Sequence, residues 1–359
     1  MNLLVLTSTK GSYNSLRPEA EIYVSLAKNG YNITVMTQQN GGYTDEFKKY
    51  NIDVVDTNYD KKIDFKIIKK AKQIIKEKNI DILYATNSKS ISNAIFAALK
   101  TDVKLVTYRG TTGGLYRHDI SSYLNALNPR VDGVVCVSKS VTKHVKKQVF
   151  SKNKKVATIY KGHDISWYNQ ETNNLEEFGT NKDNFNIAFI ANVRPHKGLI
   201  YLLEAAKELS EYKNIHILLI GKMIDQEPYT STINKSDMSK RIHITGYRND
   251  VPAIISACDV LVHASTRKEG LPRVILESLA SHTPVIASDN ESSLEIIKDG
   301  FNGYITPKKD SNAIAQAVIN LYNNPDILKQ MSKNAPKIVE TTFSHKDTVK
   351  NYMEFFSAI

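Results

Sequence analysis

Two glutamates eight residues apart, Glu269 and Glu277, stand in the segment EGLPRVILESLASHTPVIAS at residues 269–288. The pattern around them predicts Glu269 at the end of a strand and Glu277 inside a helix that begins near Pro272. Two helical turns at 1.5 Å per residue separate them by about 12 Å, too far for an acid and a base working on one bond. They suit different parts of one long ligand. The helix N-terminus between them offers the N–H groups of Leu271 and Arg273, and a positive dipole end, to an anion. A nucleotide sugar has the matching shape, with hydroxyls at both ends and a diphosphate between. Two solvated helix glutamates are the plain alternative, and the order of strand, Gly270 and helix favours a site over it.

The segment resembles the E-x7-E signature of retaining glycosyltransferases of the GT-B fold, in glycosyltransferase family 4 (glycosyl transferases group 1). That large family includes bacterial lipopolysaccharide, capsule and phosphatidylinositol glycosyltransferases. The resemblance covers nearly the whole chain, including YKGHD at residues 160–164 where the family has an Asn-Gly-x-Asp turn, and it is most specific in the C-terminal half. It implies Glu269 at the donor sugar and Glu277 at the ribose, and Gly270, Leu271 and Arg273 between them join the donor-binding candidates.

Three further segments carry the resemblance. In ANVRPHKGLIYLLEAA, from Ala191, Lys197 falls on the family's diphosphate-binding lysine, where an ammonium neutralises charge growing on the leaving group. The family's arginine five residues earlier is absent; Asn192 stands there and Arg194 follows. Either Arg194 reaches the phosphates from a shifted position or the second cation is missing. TYRGTTGG, residues 107–114, puts Arg109 where related mannosyltransferases have a histidine near the reacting sugar. An arginine cannot act as a base at neutral pH. This fits the family's proposed front-face reaction, in which the leaving phosphate takes the acceptor proton. TGYRND, residues 245–250, matches the segment that holds the donor base mainly by backbone contacts and brings in Gly246 and Tyr247.

The loop STKGSYNSLRPEAE replaces the family's Gly-Gly turn beneath the diphosphate, with Gly11 and Ser12 as its closest equivalents. Arg17, Arg109 and Arg117 are the acceptor-side candidates. Residues 113 and 114 are glycines that let backbone approach a ligand or simply make a flexible loop. No Asp-x-Asp triplet occurs, and His118, His163, His196 and His282 lack ligand spacing, so neither metal nor cofactor is expected. Lysine, arginine and a helix end take the metal's place. A nucleotide-sugar epimerase of the same fold and a non-catalytic nucleotide-sugar-binding subunit are the alternatives. LLIGKMID, residues 218–225, lacks the G-x-G-x-x-G turn of a dinucleotide oxidoreductase.

Short apolar runs alternate with amphipathic helical stretches, the pattern of a parallel sheet covered on both faces. Strands are predicted at 3–7, 33–36, 54–55, 82–84, 105–107, 134–137 and 156–159. Helices are predicted opening near Pro18 and at 64–78, 88–99, 119–127 and 139–149. After a polar stretch at 169–184 the pattern restarts with strands at 187–191, 215–220, 242–245, 260–262 and 285–287. Helices and no further strand precede a last helix near 346–356. The expected architecture is α/β, GT-B, with two Rossmann-like domains facing across a cleft: 1–165 on the acceptor side, 166–340 binding the nucleotide sugar, and a C-terminal helix at 341–359 returning to the first.

The 359 residues, 41% hydrophobic and 24% charged, suit two soluble domains of ordinary size. The N-terminal apolar run is too short for a signal peptide and no stretch reaches membrane-span length, so a cytoplasmic protein is expected. Cys136 and Cys258 lie in separate apolar segments, as buried thiols would. Residues 1–165 hold 27 Lys and Arg against 14 Asp and Glu, a net +13, while the rest holds 21 against 23. The basic half contains the amphipathic stretches DFKIIKKAKQIIKEK and KSVTKHVKKQVFSKNKK, the second with Lys143, Lys146, Lys147, Lys152, Lys154 and Lys155. Such faces bind anionic membranes or are merely solvated. The expected partners are a nucleotide-sugar donor, a glycan or lipid-linked acceptor and an anionic membrane at its inner face. Nucleic acid is not expected, since no aromatic residues interleave with the lysines.

Overall fold

A strand that is apolar on both sides belongs in a sheet covered on both faces. Leu3, Leu4, Val5 and Leu6 of β1 (Asn2–Leu6) are all fully buried. The computed structural model describes residues 1–151, 153–168, 174–267 and 269–359. They form two compact units, Met1–Gly162 with His345–Ile359, and His163–Ser344. Lys152 and the opening of the polar stretch, residues 169–173, lie outside the described residues.

In the first unit β1 is followed by α1 (Tyr13–Lys28), β2 (Asn32–Thr37), α2 (Thr44–Lys49), β3 (Asp53–Asp56), α3 (Phe65–Glu77) and β4 (Ile82–Ala85). Then come α4 (Ser88–Ala98), β5 (Lys104–Arg109), β6 (Gly133–Cys136), α5 (Lys139–Gln148) and β7 (Lys155–Thr158). Among the described residues the seven strands are parallel, in the order β3-β2-β1-β4-β5-β6-β7. Leu3 pairs with Ile33 on one side and Ile82 on the other.

The second unit runs β8 (Phe185–Ile190), α6 (Leu199–Leu209), β9 (Ile215–Ile220), α7 (Tyr229–Asn234), β10 (Ile242–Gly246), α8 (Val251–Ser256) and β11 (Val260–His263). It continues with α9 (Arg273–Ala280), β12 (Val285–Ser288), α10 (Glu291–Ile296), β13 (Gly303–Thr306), α11 (Ser311–Asn323) and α12 (Pro325–Thr341). Its six described strands are parallel in the order β10-β9-β8-β11-β12-β13.

Each sheet reverses its direction of growth beside its unit's first strand, between β1 and β4 and between β8 and β11. Connections leaving two such strands pass to opposite faces and leave a crevice beyond their carboxyl ends. The last helix, α13 (His345–Ser357), belongs to the first unit. Its buried Val349, Tyr352 and Phe356 recur at helical spacing and join Tyr23, Phe47 and Tyr84 in that unit's core. The buried hydroxyls of Tyr84 and Tyr352 bond to each other at 2.8 Å, leaving neither unsatisfied.

Several expectations need correcting. The first helix opens at Tyr13, not near Pro18, which sits one turn inside; only one turn lies upstream for its ring to disturb. The helix expected at 119–127 is a 3-10 segment, Ile120–Leu124. There Asp119 accepts from Ser121 N and Asn128 donates to the Tyr123 carbonyl, and such local bonds favour a turn over a helix. A strand does follow β12: β13 pairs with it along the sheet edge. Its signal is weak because it is four residues long and starts with Gly303, where a Cβ would fall 2.0 Å from the Val285 carbonyl oxygen. The second basic stretch is only partly a helical face. Lys155 opens β7, and Lys154 turns inward to donate to the Ala126 and Asn128 carbonyls at 2.7 Å each. Burial pushes the Lys154 ammonium down to about 8. Cys136 and Cys258 are free and buried.

Candidate active site

The crevice between β8 and β11 is closed by contacts only small groups permit. After β8 the chain makes a 3-10 turn, Pro195–Lys197, and Gly198 follows with φ +75°. A Cβ on Gly198 would stand 2.0 Å from the carbonyl oxygen of Ala264, the residue after β11. Glycine therefore lets the two loops touch. Thr266 N then donates to the His196 carbonyl at 2.8 Å, and Ser265 Oγ lies 3.1 Å from the same oxygen, fixing the chain after β11 against the turn.

This lock brings Lys197 to Glu269. Lys197 Nζ donates to Glu269 Oε1 at 2.7 Å, Ser265 Oγ donates to the same oxygen at 2.7 Å, and His263 Nε2 lies 3.8 Å from it. Burial opposes the charge on Glu269, while its neighbours favour it strongly enough to hold the carboxyl below its usual range. Burial pushes His263 down to about 4, so its ring is neutral at pH 7. At that pH Lys197 and Ser265 keep Glu269 ionised.

Glu269 does not end a strand. β11 stops at His263, and Glu269 lies in the loop before the helix, so a helical rise does not measure its distance from Glu277. Gly270 is buried, and Leu271 and Pro272 precede α9, with Pro272 at the N-cap position. The positive end of α9 thus opens at Arg273 and Val274, one residue after the expected start near Pro272, and Leu271 lies before it. Glu277 is buried in α9, where its Oε1 receives Arg273 Nε at 2.9 Å. Burial raises the Glu277 carboxyl, and Arg273 opposes the rise.

The other loop candidates fall into two groups. Arg194 is exposed, with no side-chain partner among the described residues. Asn192 takes a structural part: its Oδ1 accepts from Lys222 N at 3.3 Å, tying the loop after β8 to the one after β9. Gly246, at φ +73°, ends β10 and accepts from Gly221 N at 2.8 Å. Tyr247 is exposed beneath the Lys222 ammonium, 4.8 Å from its ring centroid.

In the first unit, Gly11 and Ser12 lead into α1, with Ser12 at its N-cap position. The Arg17 guanidinium lies over the Tyr13 ring at 5.6 Å. Arg109 ends β5 and folds back on its own loop, donating to the Thr111 carbonyl at 3.0 Å and to the Gly113 carbonyl. Arg117 closes the end of α5 through the Gln148 and Val149 carbonyls at 2.9 and 3.3 Å.

Sequence reading missed His263, Ser265 and a second, half-buried cluster. Glu19 of α1 accepts from Thr7 at 2.7 Å, from Tyr23 at 2.9 Å and from Lys161, whose Nζ also lies 4.2 Å from the Tyr108 centroid. This cluster sits at the switch point of the first sheet. Lys161 belongs to the recognised YKGHD segment, but nothing local pairs it with Glu19, 142 residues away. Among the described residues no three His, Cys, Asp or Glu side chains gather as a metal site requires. No helix among them is long and apolar enough to cross a membrane.

Comparison with known proteins matches residues 170–338 to the family model of glycosyl transferases group 1 and residues 20–167 to that of glycosyltransferase family 4. The chain is 30% identical over 184 residues to the putative glycosyltransferase EpsD of Bacillus subtilis, covering 51% of this chain and 48% of that one. It is 27% identical over 207 residues to the UDP-Gal:alpha-D-GlcNAc-diphosphoundecaprenol alpha-1,3-galactosyltransferase of Escherichia coli, covering 55% and 53%. The chain thus spans about half the length of the curated relatives it matches. In fold it resembles HepE of Anabaena, solved in complex with UDP-glucose, with a TM-score of 0.80 at 20% identity over 100% of both chains.

Proposed function

From the premise that this chain belongs to the GT-B glycosyltransferases, its two halves matching group 1 and family 4, we propose that it moves a sugar from a nucleotide-sugar donor to an acceptor with retention of configuration. One observation carries the reading: Lys197 and Glu269 meet at 2.7 Å at the switch point of the second sheet, on the approach to the N-terminus of α9. In this reading the diphosphate lies against the free N–H groups of α9 and takes the Lys197 ammonium. Glu269 holds donor-sugar hydroxyls and the buried Glu277 takes those of the ribose. A cation beside the departing phosphate stabilises charge that develops only as the bond breaks.

No base stands at Arg109, so the leaving phosphate itself accepts the acceptor's proton. Lys197, the α9 dipole and the exposed Arg194 replace a divalent ion. The test is turnover of mass-tagged nucleotide sugars with a panel of acceptors, with the anomeric proton of the product read by NMR. Transfer with retention, undiminished by chelator, is expected. Inverted product or metal dependence would overturn the respective part.

We place the acceptor on the basic first unit, as a glycan or lipid-linked glycan of cell-envelope biosynthesis made at an anionic membrane surface. The support is a patch of apolar side chains among lysines. Phe65, Ile120 and Phe150 are 82%, 85% and 60% exposed. Neighbouring residues of α4 join the segments that carry two of them: Asn93 bonds to the Lys61 carbonyl and Asp64 N, and Ser92 bonds to the Leu124 carbonyl. Phe150 stacks on Tyr123, 6.3 Å between centroids, beneath Arg117. Apolar wedges ringed by lysine suit the headgroup region of a bilayer.

A further inference from the structure

Beside the Lys197–Glu269 pair stands a buried imidazole that bonds to neither side chain. His263 Nδ1 is buried with no hydrogen-bond partner among the described residues, and Nε2 stands 3.8 Å from Glu269 Oε1, too far for a hydrogen bond. The position closer to that carboxylate is held by Lys197. An unpartnered buried polar atom costs free energy and is retained where another state of the site uses it.

Resting on the donor site proposed above, we infer that His263 is a positioning residue for Glu269: it takes up a proton and becomes the carboxylate's counter-ion when the donor diphosphate draws Lys197 away. The exchange follows from charge balance. The Lys197 ammonium has three N–H groups, but its single positive charge cannot offset both the Glu269 carboxylate and the diphosphate. When it moves to the phosphate, Glu269 stays largely buried and loses its only charged hydrogen-bond partner among the described residues. A buried carboxylate left alone is costly, and the nearest group able to gain a positive charge is the imidazole. A proton from solvent completes the ring, so that both nitrogens carry N–H. Nε2–H then donates to Oε1 after a shift of about an ångström from its present distance to that of a normal hydrogen bond.

The surroundings of the ring set the direction. Among the described residues its charged neighbours are Glu269, from the loop after β11, and Lys197, from the turn after β8. The strands flanking β11, which are β8 and β12, contain no charged residue. The helix α9 brings Arg273 and Glu277, which pair with each other. Without donor, burial and the Lys197 charge both keep the ring neutral. Donor binding removes that ammonium and adds phosphate charge, and both changes favour the imidazolium. The proton thereby couples the filling of the phosphate site to the orientation of the carboxylate at the sugar site.

The test is calorimetric titration of UDP, GDP and ADP at about pH 6.5, where a free histidine is half protonated, in buffers of different ionisation enthalpy. Wild-type protein should take up close to a full proton more than His263→Gln on binding whichever nucleotide binds. Protons exchanged by the phosphate itself enter both titrations alike and cancel. Equal proton counts in the two proteins, with binding intact, overturn the coupling and leave the donor site standing. Binding of none of the three sinks the donor site and the coupling with it. Should His263→Gln not fold, histidine-ring NMR of the wild type decides: one ring must pass from neutral to protonated on adding the nucleotide, and no such ring overturns the inference.

Discussion

Lys197 and Glu269 lie 72 residues apart in the chain and 2.7 Å apart in the fold. They face each other because Gly198 lets the turn after β8 touch Ala264, and because Thr266 N donates to the His196 carbonyl. In the donor site proposed above, this cation and this anion have separate tasks and are each other's partner until the donor arrives. Binding must exchange one ion pair for another, and each substitution below disturbs that exchange in its own way.

Replacing Lys197 with Ala removes a charge-assisted bond to the diphosphate and also strands the Glu269 carboxylate. A hydrogen bond to a charged group contributes about 1.5–3 kcal/mol net. Calorimetry should show nucleoside diphosphate bound roughly ten- to a hundred-fold more weakly. Unchanged affinity would place the phosphate elsewhere.

Glu269→Gln keeps the shape and frees Lys197. Turnover should fall by roughly a hundred-fold or more, the scale of losing one preorganised transition-state contact. Nucleoside diphosphate should bind no more weakly than to wild type, since nothing now competes for the ammonium. The role at the sugar fails if turnover is retained.

Gly198→Ala should damage the site without touching a charged group. Its Cβ would overlap the Ala264 carbonyl, and φ +75° is itself strained for alanine. A lowered melting temperature, with weaker diphosphate binding as Lys197 shifts, is the expected pair of readings. Normal melting and binding would show that the loops meet differently.

Acid should weaken the fold through His263. Its folded value is about 4, against about 6.5 in an unfolded chain. Between those values the unfolded state binds the extra proton, so stability rises with pH and is lost on acidification through that window. The slope from this one group approaches about 1.4 kcal/mol per pH unit. Denaturant midpoints from pH 6.5 downward should fall more steeply for wild type than for His263→Gln, and parallel curves would contradict the burial argument.

Vesicle sedimentation separates charge from insertion. Binding to anionic vesicles should weaken when Lys143, Lys146 and Lys147 become Glu, because each lysine near such a surface contributes about 1 kcal/mol. Replacing Phe65, Ile120 and Phe150 with Ser should remove the part that survives high salt. Equal recovery with neutral vesicles, or none with either kind, would mean a solvated basic face and a soluble acceptor.

The sequence by itself determined whatever depends on near neighbours. Short continuous apolar runs and period-3.6 patterning marked nearly every long strand and helix, because a parallel sheet covered on both faces and a helix packed on one side impose them locally. The glutamate pair and the lysine loop were legible as well, since one strand-loop-helix unit contains each. Only the tertiary structure decided which loops meet. His263 and Ser265 follow the strand predicted at 260–262 and carry no local signal; the Ala264 contact with Gly198 brings Lys197 to them. Glu19 and Lys161 form a cluster that no window of sequence contains. The edge strand β13 was hidden because its four residues gain their hydrogen bonds from β12, and Tyr352 gave no sign that its hydroxyl is completed by Tyr84, 268 residues away. Periodicity records which face of an element is buried, whereas the partner on that face is fixed by the packing of the whole unit, and the site's charges are set by that packing.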